Sequence, residues 1–418
     1  MIKEQRKLKV LLVAFQCAPE GGSVSMIGWH WVKYLEPHVD LHLVTHIRHK
    51  LVLEQILPSS VTVTFVDTEW FSKPFYNMAT RLFGSSQHLL FMVANIDFLY
   101  FSHKGMRELR PLHKERMFDI CHVVTPVTPV APHRFGTLGP PTLLGPLNGG
   151  LPFLKGFPEI GAEERAWLYR FRMLARVISR CYGTFRHAKV IFSATRSNDH
   201  ELGEKLASKA YRMCENGVDE VAASVPPFPP LPPEAPLELL YVGRLIPIKG
   251  LRMLLDAIHG VLGVRLTLVG DGPLLQPLQE KVKAMGLEDR VSFLGYRKPE
   301  QLTEIYRQCH INVLPSVRES GGATILEAMA QGRPTLALNK GGPSEYITSS
   351  TGFLLDCHNT SQVTSDLRVV LKELREDPEV LVQMAEACLK RVRLHYTWTA
   401  KAAEILKVYR RVANNQEM

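Results

Sequence analysis

Short apolar runs separated by helical patterns recur along the first half of the chain. The run at residues 8–15 has the near-continuous hydrophobicity of a parallel strand that is covered on both faces. A glycine-containing loop and a helical pattern at residues 26–35 follow it. Further strands are predicted at residues 41–45, 61–66, 118–124 and 189–194, and within 140–150, with a mostly helical stretch at 74–112. This alternation predicts an α/β domain.

The second half repeats the alternation. Strand patterns occur at residues 239–242, 265–269, 290–294, 311–314 and 335–338. Helical patterns of about ten residues separate them, at 251–259, 274–285, 299–308 and 323–331. Strands joined through helices predict a second parallel sheet with right-handed crossovers.

A proline-rich segment divides the two patterns. Residues 224–236 contain seven prolines in thirteen positions, a composition that behaves as a stiff linker. We therefore predict an N-terminal Rossmann-like domain at residues 1–219, a linker at 220–236 and a second Rossmann-like domain at 237–395.

Composition narrows the class of protein. A chain of 418 residues with 45% hydrophobic content is long enough for two domains, each with its own core. The most apolar stretch, residues 89–101, is about half the ~20 residues that a membrane-spanning helix needs. The N-terminus lacks the apolar stretch of a signal peptide, so we expect a cytoplasmic protein. Seven scattered cysteines without a Cys-x-x-Cys pair indicate neither a disulfide framework nor a zinc site.

The net charge of +9 is distributed unevenly along the chain. Residues 1–190 hold 23 Lys/Arg and 14 Asp/Glu, whereas residues 191–418 hold 27 of each. A pI near 9.1 by itself suggests nucleic-acid binding, but the sequence contains no recognisable nucleic-acid-binding module. We therefore expect no nucleic-acid partner.

The segment after residues 311–314 is the strongest candidate site. Ser320, Gly321 and Gly322 fall where a helix begins, so free backbone N–H groups and the positive end of the helix dipole form an anion cradle. Glu319 precedes the helix, and Glu327 lies roughly 8 Å further along at about 1.5 Å per residue. A sugar diphosphate attached to a ribose has about that reach. Taken alone, the two glutamates are equally typical of a capped helix with an exposed side chain.

Further glycine turns precede this segment in a fixed order. They are residues 240–250, with Arg244 and Lys249, then residues 269–273 and residues 293–296. In this order and spacing they resemble the family-4 retaining glycosyltransferases, which have the GT-B fold of two Rossmann-like domains facing a cleft. The resemblance is specific over residues 239–348 and weaker in the N-terminal half.

The resemblance implies a nucleoside-diphosphate sugar as donor. Departure of the diphosphate leaves negative charge that a metal or fixed cations must stabilise. The sequence contains no Asp-x-Asp pair of the kind that holds a metal in the other large glycosyltransferase fold, so we expect no metal cofactor. Arg244 and Lys249 are the expected cations for the diphosphate.

The same resemblance implies roles for further residues. Glu319 is expected to meet the hydroxyls of the transferred sugar and Glu327 the ribose. The loops expected to contact the base contain Gly270, Gly295 and Tyr296.

In the N-terminal half, Gly21 and Gly22 lie between the first strand and the first helix, where open α/β sheets bind ligands. The resemblance implies that they approach the donor diphosphate and that His122 meets the sugar. A half-buried structural histidine is the alternative interpretation of His122. The resemblance also implies that the last helix, within residues 396–418, packs back on the N-terminal domain.

The predicted function is metal-independent, retaining transfer of a hexosyl group from a nucleotide sugar to a glycan, lipid-linked or small-molecule acceptor. Its predicted catalytic residues are Glu319, His122, Arg244 and Lys249. A catalytically inactive paralogue with a binding or scaffold role, an epimerase and an inverting transferase of the same fold are the alternatives. The sequence names neither the sugar, the base nor the acceptor.

Residues 165–189 carry seven basic residues and no acidic one, with apolar side chains at spacings of three and four. Arg172, Arg176 and Arg180 share one face of the predicted helix. Such a helix could hold the enzyme at the inner face of an anionic membrane, and this position would suit a lipid-linked acceptor. The pattern is also that of a helix whose apolar stripe packs on a domain core.

Overall fold

The chain folds into two units, and the computed structural model describes residues 6–83, 87–149, 151, 156–164, 171–221, 225, 228, 231–232 and 234–416. Unit 1 comprises Met1–Gly150, Trp167–Glu215 and Lys401–Met418; unit 2 comprises Leu151–Ala166 and Asn216–Ala400. Residues 151–166 group with unit 2, and the later crossings follow Glu215 and Ala400. In the predicted linker, residues 222–224, 226–227, 229–230 and 233 lie outside the described residues.

Thirteen strands are described. Seven belong to unit 1: β1 (Lys9–Ala14), β2 (Asp40–His46), β3 (Thr62–Val66), β4 (Ile120–Thr125), β5 (Thr142–Leu147), β6 (Ala188–Ser193) and β7 (Ala210–Arg212). Six belong to unit 2: β8 (Leu237–Val242), β9 (Val264–Val269), β10 (Val291–Gly295), β11 (Ile311–Leu314), β12 (Thr335–Leu338) and β13 (Gly352–Leu355).

Helices join most of these strands. In the described residues they are α1 (Ser23–Leu35), α2 (Lys50–Ile56), α3 (Glu69–Phe83), α4 (Gln87–Arg116), α5 (Pro158–Glu163), α6 (Phe171–Cys181), α7 (Arg196–Leu202), α8 (Glu204–Ala207), α9 (Leu251–His259), α10 (Leu275–Ala284), α11 (Pro299–Gln308), α12 (Ala323–Ala330), α13 (Pro343–Tyr346), α14 (Thr360–Glu376), α15 (Glu379–His395) and α16 (Trp398–Ala413).

Both sheets are parallel throughout their described strand pairs. The order in unit 1 is β3-β2-β1-β4-β5-β6-β7, and the order in unit 2 is β10-β9-β8-β11-β12-β13. The predicted architecture of two parallel α/β sheets is confirmed. The sequence patterns did not predict β13, which pairs with β12 at the edge of the second sheet.

Apolar side chains on the strands explain both cores. Every residue of β4 is buried, and Leu11 and Val13 of β1 pack with Phe98 and Phe101 of α4. In unit 2, strand residues such as Leu240 pack with side chains of α11 and α12. Strands covered on both faces require such near-continuous hydrophobic runs, which is why the strand positions follow from the sequence.

The final helix begins in unit 2 and belongs to unit 1 from Lys401 onward. Within unit 1, Tyr409 is fully buried, and the Lys401 ammonium donates to the Glu215 carbonyl oxygen at 3.0 Å. This helix therefore contributes to the core of the first sheet. Among the described residues, no helix is both long enough and apolar enough to cross a bilayer.

Candidate functional site

The strand order of unit 2 locates a ligand site. From β8, the chain extends the sheet through β9 and β10 on one side and through β11, β12 and β13 on the other. In open α/β sheets, ligands bind beyond the carboxyl ends of the strands at such a switch point. The loops after β8 and β11, residues 243–250 and 315–322, therefore form the candidate site.

These two loops are packed directly against each other. The Val317 amide donates to the Ile248 carbonyl oxygen at 2.9 Å. Gly250 has a φ of +69°, and a Cβ atom built on it would lie 2.1 Å from the Pro315 carbonyl oxygen. Because a larger residue would force the loops apart, glycine at this position fixes their separation.

The loops bring Lys249 and Glu319 into an ion pair between Lys249 Nζ and Glu319 Oε2. Both side chains are largely buried, with 15% and 12% exposed. The other carboxylate oxygen accepts a hydrogen bond from the Gly322 amide at 3.1 Å, at the N-terminus of α12. The residue predicted for the diphosphate and the residue predicted for the sugar are therefore direct neighbours, as two bonded parts of one substrate require.

Arg244 lies on the same edge of the sheet and is exposed. The buried Tyr241 hydroxyl donates to the Arg244 carbonyl oxygen at 2.8 Å and so fixes the backbone of this loop. Burial raises the pKa of Tyr241 well above its usual value; the nearby Glu319 charge raises it further, and Arg244 opposes the rise. Tyr241 therefore stays a neutral hydrogen-bond donor beside two charged groups.

The three residues of the predicted anion cradle directly precede α12, and the Gly322 amide already donates to Glu319, so anion binding there stays a prediction. Ser320 and Gly321 are partly exposed, whereas Gly322 is buried. The Gly342 amide, from the loop after β12, donates to the Glu319 carbonyl oxygen at 3.0 Å. The loop that carries Glu319 is thus held from both of its neighbours in the sheet.

Glu327 has a different environment from Glu319. It is partly buried on α12 and accepts a hydrogen bond from the Tyr306 hydroxyl at 2.9 Å. Burial raises the pKa of Glu327, and the hydrogen bond from Tyr306 opposes that rise. The structure supplies no cation for this carboxylate among the contacts of the described residues. Its ribose assignment stays a prediction.

The loops predicted to contact the base are neighbours in the structure. The Gly270 amide donates to the Gly295 carbonyl oxygen at 2.9 Å, and a Cβ atom built on Gly270 would lie 1.9 Å from the Gly243 carbonyl oxygen. Tyr296 is 69% exposed. The loops after β8, β9 and β10 therefore form one row, and contact with a base stays a prediction.

Gly21 and Gly22 occupy the corresponding place in unit 1, where the order reverses at β1. Both are exposed, and Gly22 precedes the first residue of α1 without a side-chain capping hydrogen bond. A Cβ atom built on Gly22 would meet nothing within 4 Å. The N-terminus of α1 is therefore open to an anion, with the Ser25 hydroxyl near Gly21.

His122 lies in the middle of β4 and is fully buried. Its Nδ1 atom is 2.6 Å from the Tyr409 hydroxyl, and its Nε2 atom is 2.7 Å from the Gly145 carbonyl oxygen. Burial lowers the pKa of His122 to about 3, although the hydrogen bond to Gly145 opposes this. The neutral ring therefore donates to Gly145, accepts from Tyr409 and keeps no nitrogen for a substrate. A catalytic role remains a prediction that requires these bonds to break.

Two charged residues at this edge were not anticipated. Arg318 precedes Glu319 on the loop after β11, and its Nε donates to the Leu151 carbonyl oxygen at 3.2 Å. Burial raises the pKa of the Glu164 carboxyl, while the Ile248 backbone and the charges of Arg244 and Arg318 oppose the rise. The neighbouring Glu319 motif was a signal for Arg318, but nothing local marked Glu164.

The part of the chain that the structure describes contains no group of three or more His, Cys, Asp or Glu side chains placed to hold a metal ion. Metal independence remains a prediction. Cations on the described loops after β8 and β11 include Arg244, Lys249 and Arg318.

Two parallel α/β units with glycine-rich loops at the carboxyl ends of their strands define the GT-B fold. Solved structures with this fold match nearly the whole chain. HepE of Anabaena in complex with UDP has a TM-score of 0.61 and 17% identity, over 96% of this chain and 100% of that chain. WaaG, a glycosyltransferase involved in lipopolysaccharide biosynthesis, has a TM-score of 0.58 and 15% identity, over 95% and 99%.

Sequence comparisons address the second half. Residues 227–411 match the family model described as glycosyl transferases group 1. The D-inositol 3-phosphate glycosyltransferase of Corynebacterium glutamicum is 30% identical over 189 residues, 43% of this chain and 44% of that protein. The α-D-kanosaminyltransferase of Streptomyces kanamyceticus is 28% identical over 179 residues, 42% and 45%. The matched part thus spans under half the length of these curated relatives.

Proposed function

We propose that this protein is a retaining glycosyltransferase that moves a hexosyl group from a nucleoside-diphosphate sugar to a glycan, lipid-linked or small-molecule acceptor without a metal. The observation that carries the proposal is the Lys249–Glu319 pair at the N-terminus of α12, at the switch point of the second sheet. The group 1 match at residues 227–411 and the bound UDP in HepE support the class of donor.

The geometry suggests how the leaving group is stabilised. Breaking the bond between the anomeric carbon and the diphosphate oxygen places negative charge on that oxygen. Lys249, Arg244 and the amides at the start of α12 are fixed positive groups at one edge, so little reorganisation is needed when the charge develops. Glu319 lies beside Lys249, where the sugar hydroxyls would lie. We assign it to sugar positioning and not to a covalent intermediate.

A screen of donors tests the proposal directly. UDP-, GDP- and ADP-sugars are compared by thermal shift with the full-length protein, and the best ligand is then used for transfer assays with candidate acceptors. We expect one base to raise the melting temperature clearly more than the others. A protein that no nucleotide sugar stabilises would not be a glycosyltransferase of this kind.

Product analysis separates the competing activities. A retaining transferase gives a product with the anomeric configuration of the donor, and an inverting enzyme gives the opposite one. An epimerase changes the free nucleotide sugar without an acceptor. A binding or scaffold paralogue binds the donor and releases no nucleoside diphosphate.

We also propose that α6 contacts an anionic membrane at its cytoplasmic side. In the structure, residues 171–181 are helical, Arg180 is exposed, Arg176 is partly buried and Val177 is 52% exposed. Residues 165–170 of the predicted segment lie outside the described residues, as does the side chain of Arg172. An exposed cation beside an exposed apolar side chain suits a membrane surface.

Liposome sedimentation tests the membrane contact. We expect binding to anionic and not to neutral vesicles, weakening with salt and with Arg172, Arg176 and Arg180 changed to Gln. Lys281→Gln, on a helix of unit 2, is a control that should leave binding unchanged. Failure to bind either type of vesicle would indicate a soluble acceptor.

A further inference from the structure

Unit 1 has a cleft at the amino edge of its sheet, opposite to the edge that carries Gly21 and Gly22. The cleft is lined by residues that directly precede β1, β2 and β4, which are neighbouring strands, and by the last two turns of α16. Every lining residue belongs to unit 1. The volume is about 370 Å³, within the range of about 300–1,000 Å³ that is typical of small-molecule sites. A small organic molecule therefore fits in this cleft.

Backbone amides at this edge are used within the protein. The Lys9 amide donates to Asp119 Oδ2 at 2.8 Å, and the Asp119 amide donates to the Lys9 carbonyl oxygen at 2.9 Å. The Asp40 amide donates to the Leu8 carbonyl oxygen, also at 2.9 Å. Because these donors already have acceptors, recognition of a ligand falls mainly to the side chains.

The charged side chains of the cleft do not cancel one another. Arg6 donates to Asp119 Oδ1 at 2.7 Å, so these two charges form an ion pair. Lys7 and Arg410 also line the cleft and are exposed. Neither of their side chains forms a hydrogen bond or an ion pair with another described residue. The cleft therefore presents two cations without a counter-ion.

Apolar side chains lie beside these cations. Val39 and Leu406 line the cleft and are buried, and Leu8 and Ala413 are partly buried. A ligand that fits both features has an anionic group and a carbon skeleton or ring. Phosphate matches the cations better than a carboxylate does, because it has more negative charge and more acceptor oxygens for a guanidinium and an ammonium group.

We propose that this cleft binds an organic phosphate. Lys7 and Arg410 hold the phosphate, and Leu8, Val39 and Leu406 contact the organic part. The site is independent of the proposed transfer reaction, because it uses only residues at the amino edge of unit 1. A bound ligand connects α16 with the start of β1, so it should also raise the melting temperature.

Titration calorimetry of the full chain with phenyl phosphate tests the proposal. Lys7→Gln and Arg410→Gln should each weaken binding about three- to tenfold, between the effect of an exposed ion pair and that of a charge-assisted hydrogen bond. Binding should also weaken with salt. Inorganic phosphate should bind more weakly than phenyl phosphate, because it lacks the apolar ring, and phenol should not bind.

Arg411→Gln is the matched control. Arg411 is adjacent to Arg410 and exposed, and it does not line the cleft. The variant changes the net charge by the same amount and should bind phenyl phosphate as the wild-type protein does. Lys249→Ala, at the edge of unit 2, should also leave this binding unchanged. Thermal melts of every variant check folding, which exposed side chains should not affect.

Other outcomes would overturn the proposal in distinguishable ways. An equal loss in Arg411→Gln and Arg410→Gln would show non-specific attraction to a basic surface. A loss in Lys249→Ala with none in Arg410→Gln would place the anion at the edge of unit 2, against this cleft and in favour of the proposed function. Equal affinity for inorganic and phenyl phosphate would exclude an organic ligand. No binding to the wild-type protein would remove the site and leave the proposed function standing.

Discussion

The carboxyl edges of the two sheets are built on the same plan and carry different chemistry. In unit 2, the loops after β8 and β11 bring the oppositely charged side chains of Lys249 and Glu319 together. In unit 1, the loop after β1 offers two exposed glycines at a helix N-terminus. The same strand–loop–helix geometry thus yields an electrostatic site in one sheet and an open backbone surface in the other.

Two buried polar side chains of unit 1, His122 and Lys401, are engaged within the protein. Both ring nitrogens of His122 are hydrogen-bonded, and the buried Lys401 contacts Glu215 and lies 5.2 Å from the Trp31 ring centroid. Burial lowers the pKa of Lys401 to about 8. The difference indicates that charge changes at the edge of unit 2 should alter ligand binding, whereas changes to this network should alter stability.

The largest effect is expected at the cations of unit 2. Lys249→Ala and Arg244→Ala should each weaken nucleoside-diphosphate binding about ten- to a hundredfold, because each removes a charge from the diphosphate site. The melting temperature of Arg244→Ala should stay near wild type, because Arg244 is exposed. That of Lys249→Ala should fall, because the largely buried Glu319 carboxylate loses its partner. Calorimetry with the best nucleotide and thermal melts measure both quantities. Near wild-type affinity in both variants would remove this edge as the donor site.

Alanine substitutions at two glycines test the difference in loop packing between the two units. Gly250→Ala should destabilise the protein by more than the ~1–2 kcal/mol of a left-handed residue, because the added methyl also collides with the Pro315 carbonyl. Gly22→Ala should change stability by less than about 1 kcal/mol, since its φ is −78° and the space around it is open. Denaturant unfolding provides the values. Equal costs at the two positions would contradict the difference in loop packing.

Substitution of His122 tests whether its buried hydrogen bonds stabilise unit 1 or whether the residue takes part in catalysis. His122→Leu leaves the Tyr409 hydroxyl and the Gly145 carbonyl without this partner, which costs about 1–3 kcal/mol for each buried group. Tyr409→Phe is the matched control and should cost less, because it removes only one of the two hydrogen bonds. Turnover per folded molecule should stay close to wild type in both. A large fall in kcat without a fall in stability would instead support the catalytic assignment.

The smallest expected effect is a pH-dependent change in stability that distinguishes Glu327 from Glu319. Because the folded-state pKa of Glu327 is raised, the folded protein binds its proton more readily than the unfolded chain. Its contribution to stability is therefore lost as pH rises through the raised pKa. Glu327→Gln should raise the melting temperature at pH 7–8 and leave it unchanged near pH 4. The same variant should weaken nucleoside-diphosphate binding if the carboxylate holds ribose.

Glu319→Gln serves as the comparison, since Glu319 is paired with Lys249 and gives no such gain in stability at neutral pH. It should spare nucleoside-diphosphate binding and lower turnover, as expected of a group that meets the transferred sugar. The reverse pattern of binding and turnover in the two variants would exchange their roles.

The sequence alone determined the features that depend on neighbouring residues. Continuous apolar runs located both parallel sheets, because strands covered on two faces need them at every position. Glycines at the start of α12 marked the anion cradle, because helix termini and tight turns have local requirements. Arg244, Lys249 and Glu319 were predicted from the order and spacing of motifs that resemble those of the family-4 retaining glycosyltransferases, and their roles stay predictions.

Only the tertiary structure decided which charges meet. Lys249 and Glu319 lie far apart in the chain, and their ion pair depends on the loops after β8 and β11 packing against each other. His122 follows the expected strand pattern, but its two hydrogen bonds come from Gly145 and from Tyr409 near the other end of the chain. Hydrophobic periodicity is set by neighbours in sequence, whereas electrostatic and hydrogen-bond partners are set by the topology that brings distant segments together.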